Sequence, residues 1–174
     1  MMTPLTLDQI DEALAVVKLL SDEEITALLD AFELRQPRIY HLIYNDLSES
    51  MLFINRDMCA LFLDQSFDVI WLYQRFYDDV RVVKKTAYRP QVRKANAIAK
   101  AAKVGYAFDS VHDKMMKEEI LSFGELNQSS LMFHLQEAAE RYASFKLPRG
   151  KAVAHTINMF RIIILAMNHA FEDR

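Results

Sequence analysis

The sequence predicts an all-α, single-domain helical bundle of about seven to eight helices over residues 1–174, built around a long, largely buried central helix. Three observations carry that expectation. Only 3 Gly and 4 Pro punctuate the 174 residues, and they fall between stretches whose apolar residues recur at helical spacing. No run of four or more residues alternates cleanly with strand-like flanks, and no repeat of 20 to 50 residues is present. The chain is 52% hydrophobic with a single cysteine, and a domain of this size buries roughly 70% of its unfolded surface, so a core forms without disulfides.

The helices can be placed in order. Thr6 followed by Gln9, and Ser21 followed by Glu24, are capping boxes, in which a hydroxyl and an amide or carboxyl answer the free N–H groups of a first turn. Helices therefore begin near Leu7 and Asp22. Pro37 ends the second and serves as the first residue of a third through "RIYHLIYNDL". The stretch from about Ser48 to Val83 is apolar on most of its circumference. From Asn55 to Asp79, Asp57, Asp64, Asp68, Arg75 and Asp79 fall on one narrow stripe and most of the rest is apolar, which predicts the buried central helix. Pro90 opens a helix that Gly105 closes. A shorter helix runs from about Ser110 to Gly124. Asn127 or Ser129 caps another that ends before "LPRG", and the last spans Lys151 to about Phe171. That last helix is amphipathic, with Met159, Phe160, Ile163, Ile164, Met167 and Phe171 on one arc and Lys151, His155, Asn158, Arg161, Asn168 and His169 on the other.

Charge is segregated along the chain. The net charge is -3, yet residues 80–108 and 141–171 hold 13 of the 21 Lys and Arg and none of the 24 acids. The stretch from Arg81 to Lys103 alone carries eight bases. On the helix opened by Pro90, Arg93, Asn96, Lys100 and Lys103 share a face, opposite Ala95, Ile98 and Ala102. Such a ridge, joined by Arg149 and Lys151, is a candidate phosphate or nucleic-acid contact. The competing expectation is that the first two helices, with eight acids up to Glu33 and only Lys18 against them, cover the basic segments within the chain or across a dimer. A pI near 6.0, and aromatic interleaving limited to Tyr88 and Tyr106, favour the second expectation.

Motifs for chemistry are sparse. The five histidines form no Glu-x-x-His and no HExxH, and neither a Cys-x-x-Cys, a P-loop nor a Gly-x-Gly-x-x-Gly occurs, so no metal and no cofactor is expected. "RGKAVAH", Arg149 to His155, has the arginine–histidine spacing of the HEPN ribonucleases, where the pair attends the scissile phosphate. "RQPRIYH", Arg35 to His41, has it too, and no family membership follows. Asp57, Asp64 and Asp68 could form a carboxylate cluster, but the simpler expectation is the wet edge of a buried helix. Cys59, on the apolar side, is expected in the core.

The N-terminus carries Asp8, Asp11 and Glu12 where a signal peptide needs bases. "FRIIILAM" is too short for a membrane span and contains Arg161. The expectation is a cytoplasmic protein that does not enter a membrane. Its leading function is a non-enzymatic protein-protein interaction or regulatory module that self-associates as a homo-oligomer, in the first place a dimer, because the apolar content is high and charge is segregated. The alternative is a nucleic-acid-binding protein using residues 80–108 and 141–171. A second alternative is a phosphodiester-cleaving enzyme relying on Arg149 and His155.

Overall fold

Capping chemistry sets the first two helices where the sequence places them. In this computed structural model, which describes residues 2–79, 81–93, 96–97 and 127–173, α1 runs Leu7–Val17 and α2 Asp22–Arg35. Gln9 N–H donates to Thr6 Oγ1 at 3.3 Å while Thr6 N–H donates to Gln9 Oε1 at 2.9 Å. Ser21 and Glu24 repeat the exchange at 3.2 and 2.7 Å. Asp22, Glu23 and Glu24 also place three negative charges on the positive end of the α2 dipole.

Pro37 opens α3 (Pro37–His41), which continues as a π-helical turn over Leu42–Leu47 into α4 (Ser48–Ile54). The long apolar stretch is not one helix. Asn55 adopts an extended conformation (φ -160°, ψ 119°), ends α4, and caps α5 (Arg56–Phe76) by accepting from Met58 N–H at 3.0 Å. A side-chain oxygen at the N-cap satisfies an N–H that a continuous helix would have bonded to its own backbone, which is why the break falls on Asn55. Beyond α5 a 3-10 turn covers Lys85–Ala87. Residues 89–93 and 96–97 are helical, and the remainder of the helix expected from Pro90 to Gly105, with the one expected from Ser110 to Gly124, lies outside the described residues. The C-terminal part comprises α6 (Ser129–Ser144), the single turn α7 (Leu147–Gly150) and α8 (Val153–Ala170). Neither Asn127 nor Ser129 caps α6. Gln128 occupies the N-cap without a capping bond, and Asn127 has a positive φ of 46° and donates its side-chain amide to the Met2 carbonyl.

The fold is all-α apart, among the described residues, from one antiparallel pair, β1 (Tyr77–Asp79) with β2 (Phe171–Asp173), which locks the ends of α5 and α8 together. Two three-residue strands are too short to alternate visibly, and the last helix therefore ends at Ala170. Tyr77 and Phe171 are both buried at this junction and both pack on the fully buried Tyr73, with ring centroids at 5.2 and 5.6 Å.

The core is centred on α5 and α8, each packed on the other and on α6, with α1 against α5 and α6. Phe62 of α5 stacks on Phe160 of α8 at 5.6 Å. The expectation of a two-faced last helix is corrected here: twelve of the eighteen residues of α8 are buried, including His155 and Asn158 from the supposed wet arc, and Arg161 is half-buried. The reason is that α8 is enclosed by α6, α5, α3 and the π-helical turn, and several of its polar groups are bonded inside the protein. Ser50 Oγ meets His155 Nε2 at 3.2 Å, Thr156 donates to Ala152 O at 2.8 Å, and Tyr73 OH donates to Asn168 Oδ1 at 2.6 Å.

One buried amide organises the basic stretch after β1. Gln36, fully buried between α2 and α3, donates from Nε2 to Asp79 Oδ1 at 2.6 Å and to Arg81 O at 2.7 Å, and its Oε1 accepts from Val83 N–H at 3.3 Å. At the opposite side of β1, Thr3 binds both Asp173 carboxylate oxygens, and Tyr77 OH donates to Thr3 O at 2.6 Å.

Candidate functional site

The five basic candidates have unlike surroundings. Arg93 and Lys151 are exposed and make no ion pair among the described residues. Lys100 and Lys103 lie outside the described residues. Arg149 is only 8% exposed and is consumed by internal contacts. Its Nη2 and Nε donate to Asp57 Oδ2 at 2.9 and 3.1 Å, its Nη1 donates to Tyr142 O at 3.1 Å, and its guanidinium lies 3.9 Å over the Tyr142 ring. Lys146 adds a second cation at 3.4 Å from the same carboxylate oxygen. The hydrogen bond from Arg149, then the charge of Lys146, hold the Asp57 carboxyl below the usual carboxylate range.

His155, the intended partner of Arg149 in phosphate chemistry, is fully buried against Ser50 of α4, whereas Arg149 reaches toward α5. A phosphate needs the guanidinium edge that Asp57 already occupies.

None of Asp8, Asp11, Glu12, Asp22, Glu23, Glu24, Asp30 and Glu33 forms an ion pair with a Lys or Arg among the described residues. The bases that are paired find other acids: Arg81 takes Glu172 at 3.1 Å, Arg141 takes Glu137 at 3.4 Å, and Lys146 and Arg149 take Asp57. Glu33 and Asp30 act instead on Tyr40, whose hydroxyl is pushed up by burial first and by these two charges next.

Apolar side chains accompany both charged regions at the surface. Leu19, at the end of α1, and Leu34, near the end of α2, are 83% and 85% exposed. Asn55 donates to Pro148 O at 3.4 Å and so joins the α4–α5 break to α7. Phe145 and Leu147, 76% and 96% exposed, sit beside the exposed Lys146 there, with exposed Leu52 and Phe53 on α4 and exposed Arg56 and Lys151 nearby in the chain.

A groove of about 780 Å³ runs between α1, α5 and α6, with Leu14, Leu61 and Ala138 as apolar lining. Its polar groups come from all three helices: Asp11 and Lys18 from α1, Gln65 and Asp68 from α5, and His134, Glu137 and Arg141 from α6. Trp71 donates Nε1–H to Ala13 O at 3.2 Å and fixes α1 against α5 beside it. Gln65 donates Nε2–H to Asp68 Oδ2 at 3.1 Å. Burial, then the neighbouring charge of Asp64, pushes the Asp68 carboxyl up to about 6, with Lys18 opposing. Burial lowers the His134 imidazole, against the pull of Asp11 and Glu137.

The three aspartates of the α5 stripe are thus divided. Asp57 is an ion-pair partner whose side chain stays 43% exposed, Asp64 is exposed, and Asp68 is half-buried in a groove; the wet-edge expectation describes Asp57 and Asp64 and fails at Asp68. Asp68 was visible as a charge on the stripe, but its burial comes from α1 and α6, which are distant in sequence. Gln36 gave no sequence signal, because its three partners lie 43 to 47 residues away. Cys59 is buried, its thiol pushed up by burial. Among the described residues no three His, Cys, Asp or Glu are grouped to hold a metal ion, and no helix is long and apolar enough to cross a membrane. No protein-family model matches the sequence, and comparison with curated proteins and with solved structures finds none that is similar.

Proposed function

We propose that the protein is a non-enzymatic interaction module that self-associates, the acidic exterior of α1 and α2 on one copy meeting the basic corner at α7 on another. The observation that carries this reading is the absence, among the described residues, of any intramolecular ion pair for the eight acids of α1 and α2. Exposed Leu19 and Leu34 beside those acids, and exposed Phe145 and Leu147 beside Lys146, supply apolar area with complementary charge. Burial of such side chains gains about 25 cal/mol per Å², while the opposed charges select the orientation and speed the encounter. The two patches pair reciprocally across a two-fold axis, giving a dimer, when both fall within one interface, and pair head-to-tail when they do not. Sedimentation velocity at micromolar concentration tests it: association that weakens with salt, and is lost in Leu147→Asp, is expected.

A nucleic-acid reading keeps the support of Arg93 and Lys151, both exposed and without an ion pair among the described residues. It predicts salt-sensitive binding of DNA or RNA by fluorescence anisotropy that weakens in Arg93→Glu. The phosphodiester-cleaving reading has less support, because Arg149 is engaged by Asp57 and His155 is enclosed.

A further inference from the structure

We propose that the groove between α1, α5 and α6 binds an alkyl cation, an ammonium or guanidinium on an aliphatic stem, with Asp68 as its counter-ion. The inference does not rest on self-association, although Asp11 and Phe145 border both surfaces.

The size of the groove, about 780 Å³, is that of a small-ligand site and far exceeds what one side chain fills. Its charges favour a cation. Arg141 is given to Glu137 at 3.4 Å, and His134 is biased toward its neutral form by burial. The acids lining the groove, Asp11, Asp68 and Glu137, outnumber its bases, Lys18 and Arg141, and Asp64, outside the lining, adds its charge at Asp68. Asp68 is the least well served of the three. Burial and Asp64 both oppose its ionisation, and the charge of Lys18 offsets them only in part. A cation placed beside it relieves both penalties at once.

The acceptors are also arranged for a donor. Gln65 gives its Nε2–H to Asp68 Oδ2, which fixes the carboxylate and leaves Gln65 Oε1 buried with no hydrogen-bond donor among the described residues. A guanidinium or ammonium entering beside Asp68 supplies N–H groups to both. Leu14, Leu61 and Ala138 line the groove where an aliphatic stem would lie. Such a head group can be carried by a free small molecule or by a lysine or arginine of a polypeptide, and two probes separate these sources.

The experiment is isothermal titration of the full chain with agmatine, and separately with N-acetyl-arginine methylamide, at pH 7. The expected result is saturable binding of at least one probe, weakened about tenfold or more in Asp68→Asn, since a charge-assisted hydrogen bond is lost. Lys18→Met, at an exposed position, is expected to tighten binding. Because the ligand selects the ionised carboxylate, binding falls about tenfold between pH 7 and pH 5 in the wild type, as Asp68 protonates near 6, and much less in Asp68→Asn. Should agmatine alone bind, the ligand is a free small cation; should the arginine amide alone bind, it is a polypeptide side chain. Absence of binding by both probes at millimolar concentration, or equal binding by folded Asp68→Asn, overturns the proposal.

Discussion

Arg149 Nη2 lies 2.9 Å from Asp57 Oδ2, and this contact ties the turn α7 to the first turn of α5 across 92 residues of sequence. The guanidinium also covers Tyr142 and bonds its carbonyl, so one side chain joins three elements. Arg149→Met retains much of the stem's packing but leaves Asp57 with Lys146 alone and Tyr142 O without its donor. The expected result is a fall in Tm of about 3–8 °C, with α7 losing amide-exchange protection first. Arg149→Lys recovers only part, since an ammonium lacks the planar fork that reaches both partners. The Asp57 carboxyl is held low in the fold, so its contribution is present above the ordinary carboxylate pKa of 3.8 and is lost as pH falls through the lower folded value. The difference in stability between wild type and Arg149→Met therefore narrows in strong acid, as a urea series below pH 4 would read out.

Gln36→Leu tests the buried amide that holds the segment after β1. The substitution fits the volume but strips partners from Asp79, Arg81 O and Val83 N–H. A loss of about 2–4 kcal/mol in chemical denaturation is expected, because unsatisfied buried groups cost more than a hydrogen bond gains. Hydrogen exchange at the Val83 amide should accelerate beyond the global change.

Asp68→Asn should stabilise the protein at neutral pH. Its carboxyl sits at about 6 in the fold against 3.8 ordinarily, so the folded state holds the proton more tightly than the unfolded one. Stability from this group is full below about pH 3.8, declines as pH rises toward 6, and stays low above it. The variant should gain about 1–2 kcal/mol at pH 7.5, with allowance for partial hydration, and nothing below pH 4. A pH series of urea midpoints distinguishes this from a uniform gain.

Phe160→Ala removes the ring that stacks on Phe62 at the α5–α8 contact. A fully buried phenylalanine at such a site costs about 3–5 kcal/mol when truncated. Circular dichroism with urea titration checks it, and a loss below about 1 kcal/mol would mean that α8 is not the enclosed helix described.

Local chemistry was legible in the sequence, and long-range chemistry was not. Thr6 with Gln9, Ser21 with Glu24, and Pro37 mark helix starts because each acts within one turn of itself. Asn55 carried the same kind of cap but was hidden because the apolar spacing before and after it suits one helix as well as two. Periodicity showed where α8 is apolar, yet could not show that His155 and Asn158 are enclosed as well, since enclosure depends on α3, α5 and α6 arriving around it. The charge pattern was countable, but which acid meets which base was not: Arg149 chose Asp57 rather than any acid of α1 or α2.

Self-association through unlike charged and apolar patches is tested by sedimentation velocity of the wild type beside Leu147→Asp. The expected result is a concentration-dependent increase in sedimentation coefficient at about 50 mM salt that shrinks at about 500 mM and vanishes in the variant. A wild type that sediments as a strict monomer at every concentration and at low salt would contradict it.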